Sequence, residues 1–267
     1  MTRILAIVNQ KGGVGKTTTA VNLAASLAAA EKHVLLIDLD PQGNAGNGLG
    51  VERIAPSIYE VLTGSVEASK AIRESPIAEI PFLDLLPSTS DLYGADLELA
   101  GAPEREQLLS RAIGNLPKSY EFILIDCPPS LGLLTINALV ACSGVLVPLQ
   151  SEYYALEGLS QLLKTVELLR ESFNPSVQID GVLLTMFDPR NKLSHQVAAE
   201  VREHMPGQVY ETVIPRNVRL SESPSFGKPV LLYDIESKGS QAYVALAAEF
   251  LKREHCNVRR GLQGASR

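Results

Sequence analysis

The stretch that most limits the fold is residues 4–28, "ILAIVNQKGGVGKTTTAVNLAASLA". An aliphatic run reads as a strand, an alanine-rich amphipathic run as a helix, and a glycine loop joins them directly. Gly12, Gly13 and Gly15 lack β-carbons, so the loop's N–H groups can turn inward around phosphate oxygens. The helix start adds its positive end. Lys16 would then reach the outer phosphates and Thr17 would ligate Mg²⁺. Gln10 stands where the usual pattern has a glycine, and Lys11 adds a second cation that one phosphate cradle does not require.

The rest of the chain repeats the strand–helix alternation. Residues 4–8, 34–38, 82–86, 122–126, 144–149, 181–187 and 209–214 read as strands, apolar on both faces. Residues 17–30, 90–99, 104–115, 132–142, 155–172, 192–204 and 239–254 read as helices. This alternation predicts an α/β fold, a doubly wound and mostly parallel sheet flanked by helices, as in P-loop NTPases. Residues 43–80 are less regular and read as an insertion of short helices. One domain is expected over 1–254, with 255–267 a polar, basic and flexible tail.

Composition limits the function classes. Hydrophobic residues make up 45% and charged ones 20%, the balance of a soluble protein, and no apolar run is long enough to cross a bilayer. A strand starting almost at Met1 leaves no room for a signal peptide. Cys127, Cys142 and Cys256 lack metal-ligand spacing, which fits reduced thiols and a cytoplasmic protein. A net charge of −6 argues against wholesale coating of nucleic acid but allows a local basic patch.

Carboxylates stand at two further strand ends. Asp126 closes "FILIDCPP", where a Walker B acid would hold Mg²⁺ through water. "LLIDLDPQGN" supplies Asp38 and Asp40, an i, i+2 pair pointing to one face. Such a pair equally caps turns; beside a phosphate loop the site reading is favoured.

"KGGVGKTT" resembles the deviant Walker A motif of SIMIBI-class ATPases. Together with "DLDPQGNA", "IDCPPSLGLLTINAL", "EYYALEGLSQLL", "VLLTMFD" and "VIPRNVRLSESPSFGKPV", it makes the chain similar to the ParA/Soj chromosome-partitioning ATPases from about Thr2 to Leu251. The resemblance implies an ATPase that uses ATP and Mg²⁺, is stimulated by its partner and DNA, and segregates or positions chromosome or plasmid origins. It makes Lys11 the signature lysine, which reaches across a nucleotide-sandwich homodimer to the other subunit's ATP. Lys11, Gly12, Gly13, Val14, Gly15, Lys16, Thr17 and Thr18 would hold the phosphates, with close subunit approach at Gly12. Thr17, Asp38 and Asp126 would serve the metal, the aspartates through water. Lys11, Lys16 and Asp40 would be catalytic, Asp40 by orienting the attacking water. Pro215 and Asn217 would lie at the adenine, where sequence alone reads only a strand-to-loop turn.

The basic residues divide the same way. "FDPRNK" carries Arg190 and Lys192, and "PRNVRL" carries Arg216 and Arg219. On sequence alone these are scattered solvated charges. The resemblance implies non-specific binding of double-stranded DNA by the ATP dimer through Arg190 and Arg219, with Arg216 and Lys192 as further candidates. It also implies a ParB/Spo0J-type centromere-binding partner and residence on the nucleoid. The competing class is a MinD-like membrane-associated positioning ATPase. That needs an apolar C-terminal helix face, and residues 255–267 offer only Val258 and Leu262. A third class is a metabolic enzyme of the same superfamily, such as a nitrogenase-type reductase or an amide-forming synthetase; a reductase would need cluster-bridging cysteines, and Cys127 and Cys142 read more simply as buried small hydrophobes.

Overall fold

The computed structural model describes residues 2–152 and 155–264. Six strands form one sheet: β1 (Arg3–Ile7), β2 (Val34–Asp38), β3 (Leu83–Leu86), β4 (Phe122–Asp126), β5 (Gly144–Gln150) and β6 (Gln178–Thr185). All pair in parallel, in the order β3-β2-β4-β1-β5-β6. Parallel pairing requires crossovers, and the intervening helices cover both faces. Side chains alternate accordingly: Leu35, Ile37, Ile123 and Ile125 join one core layer, while Leu36 and Leu124 join the other with Leu5, Ile7, Leu23 and Phe250. Cys127 and Cys142 are buried as expected, and Cys256 is exposed.

Register decides which residues meet. Ile7 and Asp38 both lie opposite Asp126, so the two aspartates sit side by side at the carboxyl ends of β2 and β4. The glycine loop leaves β1 at the same end. Strand order reverses around β1, which places a crevice there.

Several elements differ from expectation. Residues 209–214 are not a seventh strand; isolated parallel bridges flank the run, Val182 with Val209 at its start and Phe187 with Pro215 just past its end. Between the bridges Glu249 takes the backbone: its carboxylate accepts from Glu211 N and Thr212 N, each at 2.9 Å, in place of a ladder. The expected helix 90–99 is broken into 3₁₀ turns at Ser90–Gly94 and Leu99–Gly101 around Ala95–Glu98. The insertion 43–80 holds the helices Asn44–Gly48, Ile58–Leu62 and Ala68–Ala71, the second started by a Ser57/Glu60 capping box. Three short elements after Asn217 were not anticipated: Val218–Glu222, Ser223–Phe226 and Val230–Tyr233. The final helix, Lys238–Gly264, runs through much of the range read as a tail. Among the described residues no helix is long and apolar enough to cross a membrane.

Candidate nucleotide site

Residues 9–15 form an open loop between β1 and the helix Lys16–Ala29. Gly13 and Gly15 have φ of 74° and 88°, a region that side chains disfavour. Gly15 caps the helix without a side-chain acceptor, so the first helical N–H groups face the crevice. Asn9 braces the loop by donating from Nδ2 to Pro148 O (2.7 Å) and accepting from Lys11 N (2.9 Å). From β6, Thr185 Oγ1 donates to Val14 O at 2.8 Å. A β-carbon at Gly12 would meet nothing within 4 Å in this chain. Any crowding at Gly12 must come from another molecule.

The two lysines part ways. Lys16 is only 7% exposed and its Nζ donates to Lys11 O at 3.1 Å, inside the loop's concavity. Burial pulls its pKa down, opposed by the nearby charges of Asp126 and Asp40. Lys11 instead extends outward to an ion pair with Glu152, just past β5, both side chains being 45% exposed. Glu152 begins the quoted "EYYALEGLSQLL", yet nothing in its type or spacing announced this contact.

Asp38 and Asp126 are fully buried. Asp38 Oδ2 accepts from Ala45 N (3.0 Å) and Gly46 N (3.1 Å), and Oδ1 accepts from Asp40 N (3.2 Å). Its lone pairs thus organise the loop after β2. Asp40 in turn accepts from Gln42 N at 2.9 Å. Asp126 differs: neither carboxylate oxygen has a hydrogen-bond donor among the described residues. Burial, then the charge of Asp38, raise its pKa well above the carboxylate range; the Thr17 hydroxyl nearby opposes this without closing a hydrogen bond. A buried, unpaired carboxylate beside a threonine hydroxyl is the donor set that a hard divalent cation satisfies. Asp126 and Thr17 could hold Mg²⁺ here.

The acidic pair predicts a pH effect. Burial, with the charge of Asp40 adding to it, pushes Asp38 up to about 7 from 3.8, despite its N–H donors. Between those values the folded state binds more protons than the unfolded chain, so stability should fall as pH rises through about 7. Thermal melts of the nucleotide-free protein in chelator, from pH 6 to 8, check this. Asp38→Asn should flatten the slope, and identical slopes would refute the assignment.

Beyond the loop lies a cavity of about 280 Å³, lined by Thr18, Thr185, Met186, Pro215, Asn217 and Tyr243 among others. It has room for a planar base next to the phosphate cradle. Tyr243 reaches it from the last helix and shares a 3.2 Å hydrogen bond with Thr19. Thr185 and Tyr243 escaped the sequence reading because each belongs to an element whose pattern signalled only core. Asn217 caps the Val218–Glu222 helix, its side chain accepting from Arg219 N at 3.0 Å.

The basic residues stand apart from this crevice's acids. Arg190 grips Asp188 through Nε and Nη2, both at 3.1 Å. Arg219 pairs with Glu222 (2.8 Å) and Asp234 (3.0 Å). Lys192 and Arg216 are exposed and have no ion pair among the described residues.

Comparison with known proteins adds what geometry leaves open. Residues 2–179 match the family model described as an AAA domain. Chromosome partitioning protein ParA of Myxococcus xanthus is 54% identical over 254 residues, covering 94% of this chain and 89% of that protein. Sporulation initiation inhibitor protein Soj of Bacillus subtilis is 52% identical over 251 residues, covering 93% and 98%. Among solved structures, cobyrinic acid a,c-diamide synthase from Mycobacterium smegmatis with bound ADP and magnesium is 38% identical, with a TM-score of 0.83 and 96% of each chain covered.

Proposed function

Because this chain belongs to the ParA/Soj family of chromosome-partitioning ATPases, we propose that it works as an ATP-dependent homodimer that binds double-stranded DNA without sequence preference. The observation that carries this reading is the divergence of the two loop lysines. Lys16 serves its own cradle, while Lys11 faces outward, away from the phosphates it would otherwise crowd. A cation so placed fits a phosphate supplied by a second copy, and Gly12 leaves room for that approach.

ATP and Mg²⁺ are the cofactors. Lys16 and the N–H groups of residues 12–18 hold the phosphates, Thr17 and Asp126 the metal, and Pro215 and Asn217 flank the adenine. Asp40 orients the attacking water, and Lys11 offsets charge developing on the phosphoryl oxygens of the partner's ATP. Glu152 competes for Lys11 before dimerisation. The dimer doubles the DNA contacts offered by Arg190, Arg219, Arg216 and Lys192, which makes affinity depend on ATP. A ParB/Spo0J-type protein is the partner that stimulates hydrolysis, and the working location is the cytoplasmic nucleoid.

Lys11→Ala is expected to bind ATP and stay monomeric in light scattering, whereas Glu152→Gln should dimerise at lower ATP. A stable ATP dimer of Lys11→Ala would remove the trans role. For DNA, Arg190→Ala and Arg219→Ala should each weaken binding to two unrelated duplexes alike. Each substitution removes two phosphate contacts per dimer, so the log–log salt slope should become shallower by up to about 1.8. Equal slopes for mutants and wild type would move the DNA surface elsewhere.

A further inference from the structure

We infer that the backbone contact between Gly50 and Gly227 transmits the state of the phosphate site to the segment that carries Asn217 and Arg219. This rests on the proposed ATP-dependent DNA binding and names the device that would regulate it.

On one side stands the loop after β2. Asp38 fixes its start through Ala45 N and Gly46 N. The helix Asn44–Gly48 follows, and Gly50 N donates to Asn47 O at 3.1 Å. Gly50 is therefore connected, through this short helix, to an aspartate that lies opposite Asp126. On the other side, Asn217 caps Val218–Glu222, which runs without a break into Ser223–Phe226 and ends on Gly227. Gly227 N donates to Pro224 O at 3.1 Å. A displacement of Gly227 thus moves the turn that follows the adenine contact and Arg219.

The two glycines meet without side chains. A β-carbon on Gly227 would lie 2.7 Å from Gly50 Cα and 3.1 Å from Gly50 N, and one on Gly50 would lie 3.2 Å from Gly227 O. Both have positive φ, 70° and 62°. Backbone against backbone leaves no rotamer to absorb a shift, so movement on one side appears on the other. Asn22 provides the fixed reference: from the phosphate-loop helix, its Oδ1 accepts from Val230 N at 2.7 Å, just beyond the contact.

The test combines hydrogen exchange with DNA binding. In the wild-type protein, exchange over residues 217–227 should differ between ATP and ADP, in step with residues 44–50. Gly50→Ala and Gly227→Ala should keep ATP binding but bring the ratio of DNA affinities in ATP and ADP down at least tenfold. Gly64→Ala is the control for backbone strain: its φ is 75°, yet a β-carbon there meets nothing within 4 Å. It should keep the wild-type ratio. Nucleotide-independent exchange at 217–227 in the wild type would overturn the coupling whether or not the variants fold. So would a wild-type affinity ratio in both contact variants. If the wild type binds no DNA in any nucleotide state, the functional proposal fails instead, and the exchange measurement still decides the coupling.

Discussion

Lys16→Ala is expected to weaken ATP binding by about 100-fold or more, equivalent to about 3 kcal/mol. Lys16 is the one loop lysine whose ammonium turns into the cradle, and it is largely withdrawn from water. Burial depresses its pKa, and the hydrogen bond to Lys11 O holds its amine inside the loop before the ligand arrives. Removing it takes away the cation that stands against the acidic side chains of Asp126 and Asp40, its nearby counter-charges, and leaves the cradle without one of its own. Equilibrium titration with a fluorescent ATP analogue measures the loss. Wild-type affinity would sink the phosphate-loop assignment, and Lys11→Ala serves as the contrast because its ammonium is exposed and paired with Glu152.

Asp40→Ala should act on turnover, not binding. Hydrolysis should drop by about 100-fold or more while ATP affinity holds, since the carboxylate would position water and carries no phosphate. Asp40 sits two residues past the Asp38 anchor and is steadied by Gln42 N at 2.9 Å. Its geometry therefore does not depend on its own side chain making a structural bond to distant elements. With hydrolysis blocked, the protein should accumulate as an ATP dimer. Single-turnover phosphate release together with light scattering separates the steps; normal release from a monomer would contradict the assignment.

Much of the crevice was legible because its chemistry is local in sequence. The glycine loop, Lys16 and Thr17 lie within a few residues, and Asp38 and Asp126 end strands whose apolar runs are plain. What stayed hidden depends on pairing across the fold. Lys11 meets Glu152, and Thr19 meets Tyr243, over separations that no periodic pattern encodes. The ion pairs of Arg190 and Arg219 were within reach, since Asp188 and Glu222 are sequence neighbours, but charge counting treats neighbouring opposite charges as a solvated mixture. The seventh strand was misread for a different reason: "VYETVI" has the right residues, and a carboxylate from another helix takes its hydrogen bonds.

That interrupted strand has a consequence at the border of the sheet. An uncovered outer strand offers its peptide groups as a template for any passing chain. Here Val182 donates to Gln208 O at 2.8 Å and accepts from Tyr210 N at 2.9 Å; Leu184 accepts from Ile214 N, and Phe187 donates to Ile214 O. At the opposite border, Arg73 and Leu85 exchange a pair of backbone hydrogen bonds, Arg73 N donating to Leu85 O at 2.7 Å and Leu85 N to Arg73 O at 3.0 Å. A few short stitches suffice to seal each margin without extending the sheet. Copies of this protein crowded together then have little purchase for zipping edge to edge, and contact between them is steered to surfaces that a nucleotide can govern.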